Sequence, residues 1–427
     1  MSLAQPPSVH IVGAGLAGLS AAVRLASQGK HVCLYEAAGQ AGGRCRSYED
    51  KVLGCRIDNG NHLILSGNRS TLDYTGLIGA QGPLYAPKEA AFPFIDLASG
   101  ERWTVRPNTG RIPWWVLRPE RRIPGTRPLD YLSGLKLAMA RPEQTVADVL
   151  DTQTTLFQRF WEPLVIAALN TTPDQASARL VWRSLQESFA KGAEHCRPMI
   201  ARNGLSEALV DPALAYLQAH DAKIRFNARL RGIEADDWGN ILQLQFGEET
   251  IELAPNDQVI LALPPTQLGR VLPGLDLPAD ESVIVNAHFR LSNALAPEEQ
   301  PSFLGLLGAQ AHWVFVRGDV VSITISAADR LGLADTPESE LLPVLWREVQ
   351  QALKLDETPY LAARLIRERR ATFDQSPAGV AKRPQAKTAQ KNLFLAGDFI
   401  DTGLPATIES AIRSGAHAAS LASVALR

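Results

Sequence analysis

Val9-His10-Ile11-Val12 runs directly into Gly13-Ala14-Gly15-Leu16-Ala17-Gly18, and the unit that begins there closes at Glu36. The apolar run suits a buried strand. The periodicity after the glycines predicts a helix over Leu19 to Gln28 that stops at Gly29, and His31 to Tyr35 reads as a second strand. Strand, glycine turn, helix and strand in that order make a compact βαβ unit. In such a unit the first glycine permits the tight turn, the second lets the backbone approach a pyrophosphate, and the third lets helix and strand pack closely. Leu16 and Ala17 stand at the helix start, whose N–H groups face the anion. Glu36 lies 21 residues beyond Gly15, where a carboxylate accepts hydrogen bonds from ribose hydroxyls.

Outward from this stretch, Gly39-x-x-Gly42-Gly43-Arg44 follows Glu36 directly. Two adjacent glycines and an arginine can wrap a second turn around a cofactor longer than a mononucleotide. Near the other end, Asn392 to Ala396 reads as a short buried strand, followed by Gly397-Asp398 and a helix over Ala406 to Leu426. Ile408, Ala411, Ile412, Gly415 and Ala419 place small and aliphatic side chains on one face of that helix, as close packing requires.

These three motifs, in this order, resemble the flavin-dependent amine oxidase and carotenoid desaturase superfamily. The resemblance implies FAD, held by Gly13, Gly15, Leu16, Ala17, Gly18, Glu36, Gly42, Gly43 and Arg44 at one end of the chain. At the other end it implies Gly397, Asp398, Thr407 and Ile408, with Asp398 near the ribityl-phosphate. Ile224 to Ile233 resembles the strand that meets the adenine, with Leu230 contacting it through backbone. Asp58-Asn59-Gly60-Asn61-His62 enters the pocket near the flavin in related enzymes, which adds Asn59, Gly60 and Asn61 to the cofactor set. His62 is the candidate acid, because histidine titrates near neutrality. A structural role for a lone histidine fits the same residue.

A narrower resemblance, to the hydroxysqualene dehydroxylases of hopanoid biosynthesis, rests on Phe160 to Thr171 (FWEPLVIAALNT), Pro113-Trp114-Trp115, Pro124-Gly125-Thr126 and Asp58 to His62. It implies reductive removal of the hydroxyl of hydroxysqualene to give squalene, an isoprenoid, by hydride from reduced flavin. A phytoene-type desaturase or isomerase, an amine oxidase, and a non-catalytic prenyl-lipid carrier are the alternatives. A C30 chain without charge implies a long cavity lined by aliphatic and aromatic side chains. No second glycine-rich nucleotide site is evident, so the electron donor is left unassigned.

The expected fold is α/β. A Rossmann-type (GR2-like) FAD-binding domain is assembled from residues 1–75, 195–270 and 385–427. An α+β substrate domain, 76–194 and 271–384, is inserted between these, with 145–190 helical and about 76–142 read as loops and short elements. Val320 to Ile325 reads as a strand and Glu338 to Leu353 as a helix.

The 427 residues suit two or three domains. Lys and Arg total 43 against 45 Asp and Glu, which gives no overall field for a nucleic acid backbone. Cys33, Cys45, Cys55 and Cys196 lack the pairing of a disulfide scaffold or a zinc site, so no metal is expected and a reducing cytoplasm is the natural setting. No basic residue precedes the first apolar stretch, as a signal peptide would require, and no stretch is apolar for long enough to span a bilayer. Residues 111–127 set five arginines beside Trp114 and Trp115, which suits peripheral docking on an anionic membrane face; a buried tryptophan pair with surface ion pairs fits equally.

Overall fold

A computed structural model describes residues 6–296, 300–355 and 358–426. Residues 1–5, which the sequence reading assigned to the FAD-binding segments, lie outside the described residues. Five parallel strands form the first sheet, in the spatial order Lys223–Arg225, His31–Tyr35, Ser8–Val12, Gln258–Leu261, Leu393–Leu395. Apart from the edge strand Lys223–Arg225, its strands are short and mainly apolar because both faces are covered. Val9, Ile11, Val32, Leu34, Ile260 and Phe394 point to a helical layer made by Leu16–Ala26, Asp211–Ala219 and Ile408–Ala425. The alternate residues Val12, Tyr35, Val259, Leu261, Leu393 and Leu395 point to an antiparallel meander, Gly232–Ala235, Ile241–Phe246 and Glu249–Glu252.

The helix that follows the glycine turn and the C-terminal helix touch at backbone distance. A Cβ on Gly415 would lie 2.0 Å from the carbonyl oxygen of Ala17, and Ser20 Oγ donates to Ile412 O at 2.8 Å. This approach brings the two ends of the chain together on one side of the parallel sheet.

The second sheet has seven strands, in the order Ala362–Glu368, Ile284–Arg290, Val320–Ile325, Trp313–Arg317, Phe303–Leu307, Phe92–Asp96, Arg102–Val105. All neighbours are antiparallel except Phe303–Leu307 with Phe92–Asp96. One face, through Val285, Ala287, Phe289, Val321, Ile323 and Ile325, packs on the helix Glu338–Leu353. The other carries Phe92, Phe94, Trp103, Phe303 and Trp313 against a helical layer that includes Val146–Val149, Glu162–Leu169 and Ala178–Glu187.

The reading of 76–142 as loops and short elements needs correction. Phe92–Asp96 and Arg102–Val105 are regular strands of the large sheet, and Pro128–Met139 is a 3-10 helix of twelve residues. Pro93 masks the first strand in the sequence. It is tolerated because the ladder on its missing N–H side begins only at Phe94, paired with Gly305. Of the two tryptophans, Trp115 is buried and Trp114 exposed, so the two do not form a buried pair.

Candidate functional site

The glycine turn has the geometry of a cradle. Gly13 adopts φ +106°, and a Cβ there would lie 2.3 Å from Ala262 O; a Cβ on Gly18 would lie 1.8 Å from Gly13 O. These two glycines are required by the protein's own backbone. Gly15 differs, since its φ of −72° is ordinary and a Cβ would meet no protein atom within 4 Å. The open space in front of Gly15, at the N-terminus of an eleven-residue helix, fits the pyrophosphate of a dinucleotide.

Around this space the other motifs converge. Glu36 accepts from Ala14 N at 2.7 Å and Ala38 N at 2.9 Å, which fixes its carboxylate at the end of the second strand. Gly42 donates its N–H to Ala14 O at 2.8 Å, and Gly42 and Gly43 both have positive φ, so the Gly-Gly turn lies against the first. Arg44 donates to Asp398 Oδ1 at 2.7 Å and to Ala371 O at 2.7 Å. Asp398 is buried, and this bond ties the second turn to the C-terminal motif across 354 residues. Gly397 N donates to Ser414 Oγ at 2.9 Å, and Thr407 caps the helix that begins at Ile408 by accepting from Ser410 N at 3.1 Å. Leu230 is buried in the meander side of the core; regular strand in its neighbourhood is limited to Lys223–Arg225 before it and Gly232–Ala235 after it.

Asp58 to His62 crosses from the Gly-Gly-Arg turn to the large sheet. Asp58 is buried and accepts from Ser47 Oγ at 2.6 Å, Leu205 N at 2.9 Å and Arg317 Nη1 at 2.7 Å. The Asn59 amide donates to Glu368 Oε2 at 3.2 Å, and the Asn61 amide to Thr324 Oγ1 at 3.0 Å. Both side chains thus engage the sheet. A Cβ on Gly60 would lie 3.2 Å from Asn286 Nδ2, so this glycine too approaches the sheet. His62 lines a cavity of about 30 Å³ with Asp58, Asn61, Ile200, Phe315 and Arg317. Desolvation, assisted by Arg44 and opposed by Asp58, pulls its pKa down to about 4. The imidazole is therefore neutral at pH 7, where the sequence reading expected titration near neutrality.

That cavity has room for little more than a water molecule.

Several residues at the site escaped the sequence reading. Asn286, His288, Ser322 and Thr324 face the Asp58–His62 stretch from two paired strands, with Asn286 opposite Thr324 and His288 opposite Ser322. Their alternation with Val285, Ala287, Val321, Ile323 and Ile325 was a period-2 signal available in the sequence. Arg317, the partner of Asp58, carries no such signal. Neither does Arg383, which is buried and donates to the carbonyls of Asp398 at 3.2 Å, Phe399 at 3.1 Å and Ile400 at 2.5 Å, holding the loop after Asp398. Asn170, at the end of Glu162–Leu169, has φ +50° and accepts from Ala327 N at 2.6 Å, which fastens the Phe160–Thr171 segment to the sheet. Among the described residues no group of three or more metal-ligating side chains occurs, and no helix is long and apolar enough to cross a membrane.

Residues 16–422 match the family of flavin containing amine oxidoreductases. A hydroxysqualene dehydroxylase of Sinorhizobium fredii is 43% identical over 419 residues, covering 98% of both chains. One of Rhodopseudomonas palustris is 42% identical over 418 residues, covering 97% of this chain and 98% of the relative. Among solved structures, cyclohexylamine oxidase of Brevibacterium oxydans superposes with a TM-score of 0.72 at 15% identity, covering 99% of this chain and all of the other, which shows the shared fold. With the dinucleotide cradle and its three converging motifs in place, these matches show that the chain belongs to the flavin containing amine oxidoreductases, in their hydroxysqualene dehydroxylase branch.

Proposed function

We propose that this protein binds FAD and reductively removes the hydroxyl group of hydroxysqualene, giving squalene and water. The observation that carries the reading is the joining of the three cofactor motifs through Gly42 N to Ala14 O and Arg44 to Asp398, with His62 on the segment that leads from them to the large sheet. Gly13 to Gly18 hold the pyrophosphate, Glu36 the ribose and Leu230 the adenine edge. Gly42, Gly43, Arg44, Gly397, Asp398, Thr407 and Ile408 line the rest of the cofactor. When bound and reduced, the flavin supplies the hydride that replaces the hydroxyl at the allylic carbon.

The chain's own residues then have defined tasks. Hydroxide is a poor leaving group, so its oxygen needs a proton donor as the C–O bond breaks. A neutral His62 polarises that oxygen by donating a hydrogen bond from one ring N–H, as neutral imidazoles do in other enzymes when their pKa is held low, and the proton that turns the departing hydroxide into water comes from solvent. Asp58 is fixed by three donors and stays put beside it. Asn59 and Asn61 anchor this loop to the sheet, so a contact of theirs with cofactor runs through backbone atoms. Ile200 and Phe315, which line the cavity with His62, supply apolar surface for the isoprenoid chain, at about 25 cal/mol per Å² buried. The four free thiols suit a reducing cytoplasm.

Anaerobic incubation of the chemically reduced, FAD-loaded protein with hydroxysqualene, followed by mass spectrometry, tests the proposal. Squalene is the expected product. Recovery of unchanged substrate, with turnover of a carotenoid precursor by the oxidised protein, would move the activity to the desaturases.

A further inference from the structure

The 3-10 helix Pro128–Met139 has three residues per turn, so side chains at i and i+3 eclipse and form three straight rows. One row, Pro128, Tyr131, Gly134 and Leu137, faces inward: Gly134 and Leu137 are buried, and a Cβ on Gly134 would lie 2.8 Å from the ring of Trp161. The second row is Leu129, Leu132, Leu135 and Ala138, apolar throughout and turned to solvent, with the leucines 75%, 57% and 56% exposed. Met139 ends the helix 76% exposed. The adjoining turn Trp114–Leu117 packs on this helix through Trp115 and Tyr131, edge to face at 5.3 Å, and Ile112 and Leu117 beside it are exposed apolar side chains as well. A helix that has already buried one row has no folding reason for a second apolar one, and a contiguous exposed patch of this kind marks a docking surface.

The charge around the patch identifies what it docks on. Residues 111–141 hold seven Lys and Arg against two acids, in a chain whose net charge is −2. Arg118 and Arg121 stand over Trp114 at 5.9 and 5.3 Å, and beside Trp114 opens a cleft of about 720 Å³. Lys88, Arg106, Arg121 and Arg197 line it against Glu89 and Glu194. A two-fold contact with a second copy would set these cations against themselves. Apolar side chains between arginines, with a tryptophan at the boundary, match instead the acyl and phosphate levels of a bilayer surface.

We propose that the row Leu129–Leu132–Leu135 and the turn Ile112–Leu117 seat this protein on an anionic phospholipid bilayer, with the arginines around Trp114 on the headgroup phosphates. The helix lies in the plane of the interface, because its outward row is too short to span. The surface stands apart from the cofactor motifs, so the proposal does not depend on the reaction assigned above.

The test is co-sedimentation of the flavin-loaded full chain with vesicles of phosphatidylcholine alone or with about one part in four phosphatidylglycerol. Binding is expected at least about tenfold stronger on the anionic vesicles and weakened by salt, since each cation near such a surface contributes about fivefold. Leu132→Glu/Leu135→Glu should lower it at least about tenfold with melting temperature and flavin content unchanged, because both side chains are exposed. Arg118→Glu/Arg121→Glu should remove the preference for anionic lipid. Equal binding to both vesicles, no binding to either, or wild-type binding by the leucine variant overturns the proposal. So does a leucine variant that turns a dimer into a monomer while vesicle binding persists, which would make the patch a self-association surface.

Discussion

Gly15→Ala and Gly18→Ala separate what the fold needs from what the cofactor needs. At Gly18 a methyl would lie 1.8 Å from Gly13 O, a backbone atom that cannot yield, so this variant should fail to give folded protein. At Gly15 the backbone is ordinary and the methyl meets nothing within 4 Å, so the cofactor-free protein should keep its stability or gain about 0.4–1 kcal/mol from a stiffer unfolded chain. The same methyl occupies the space assigned to the pyrophosphate. Losing two backbone hydrogen bonds to a charged group, at about 1.5–3 kcal/mol each, weakens flavin binding about 10²–10⁴-fold. Thermal melting of the flavin-free protein and a fluorescence titration with FAD read the two effects separately. If Gly15→Ala binds FAD within about threefold of wild type, the cradle assignment is wrong.

Other consequences can be checked independently. His62→Ala should remain folded and yellow but turn over about 10²–10⁴-fold more slowly. Because burial holds His62 near 4, the wild-type rate should show no step in the range where free histidine titrates; a rate governed by a group near 6.5 would contradict the neutral-donor role. His62, His288 and His312 all have pKa values pulled down to about 4, chiefly by burial. Unfolded histidines take up protons near 6.5, so stability is lost as pH falls from about 6.5 toward 4, on the order of 2 kcal/mol per histidine at pH 5. His288→Gln should flatten that loss in denaturant titrations, and an unchanged pH slope would exclude a contribution from this residue. Arg44→Met strands a buried Asp398 carboxylate and should cost about 1–3 kcal/mol, part of which Asp398→Asn restores in the same chain. Additivity of the two changes would show that the pair is not coupled.

Elements whose periodicity lies within their own residues were legible, in the parallel unit and outside it. His31–Tyr35, Val320–Ile325 and Glu338–Leu353 have in the structure the limits read from their periodicity, and the helix after the glycine turn differs only in starting at Leu16 and ending at Ala26. The hairpin Phe92–Val105 was missed because Pro93 breaks the pattern and because its partner strand, Phe303–Leu307, lies about 200 residues away. The twelve-residue 3-10 helix was missed for another reason: Leu129, Leu132 and Leu135 repeat every three residues, a period that matches neither α-helix nor strand. At the site, the sequence named the motifs but not the contacts between them. Arg44 and Asp398 were both singled out, yet nothing local says that they touch, and Arg317 and Arg383 serve the site only through tertiary placement. His62 is a candidate by position alone, and its neutrality comes from burial, which no spacing encodes.

The most direct test of the account is a single turnover. Reduced, FAD-loaded protein is mixed anaerobically with one equivalent of hydroxysqualene while flavin absorbance and squalene are followed together. The account predicts one squalene formed for each flavin oxidised, with no product from the oxidised protein. Flavin oxidation without squalene, or product formed only by the oxidised protein, would contradict it.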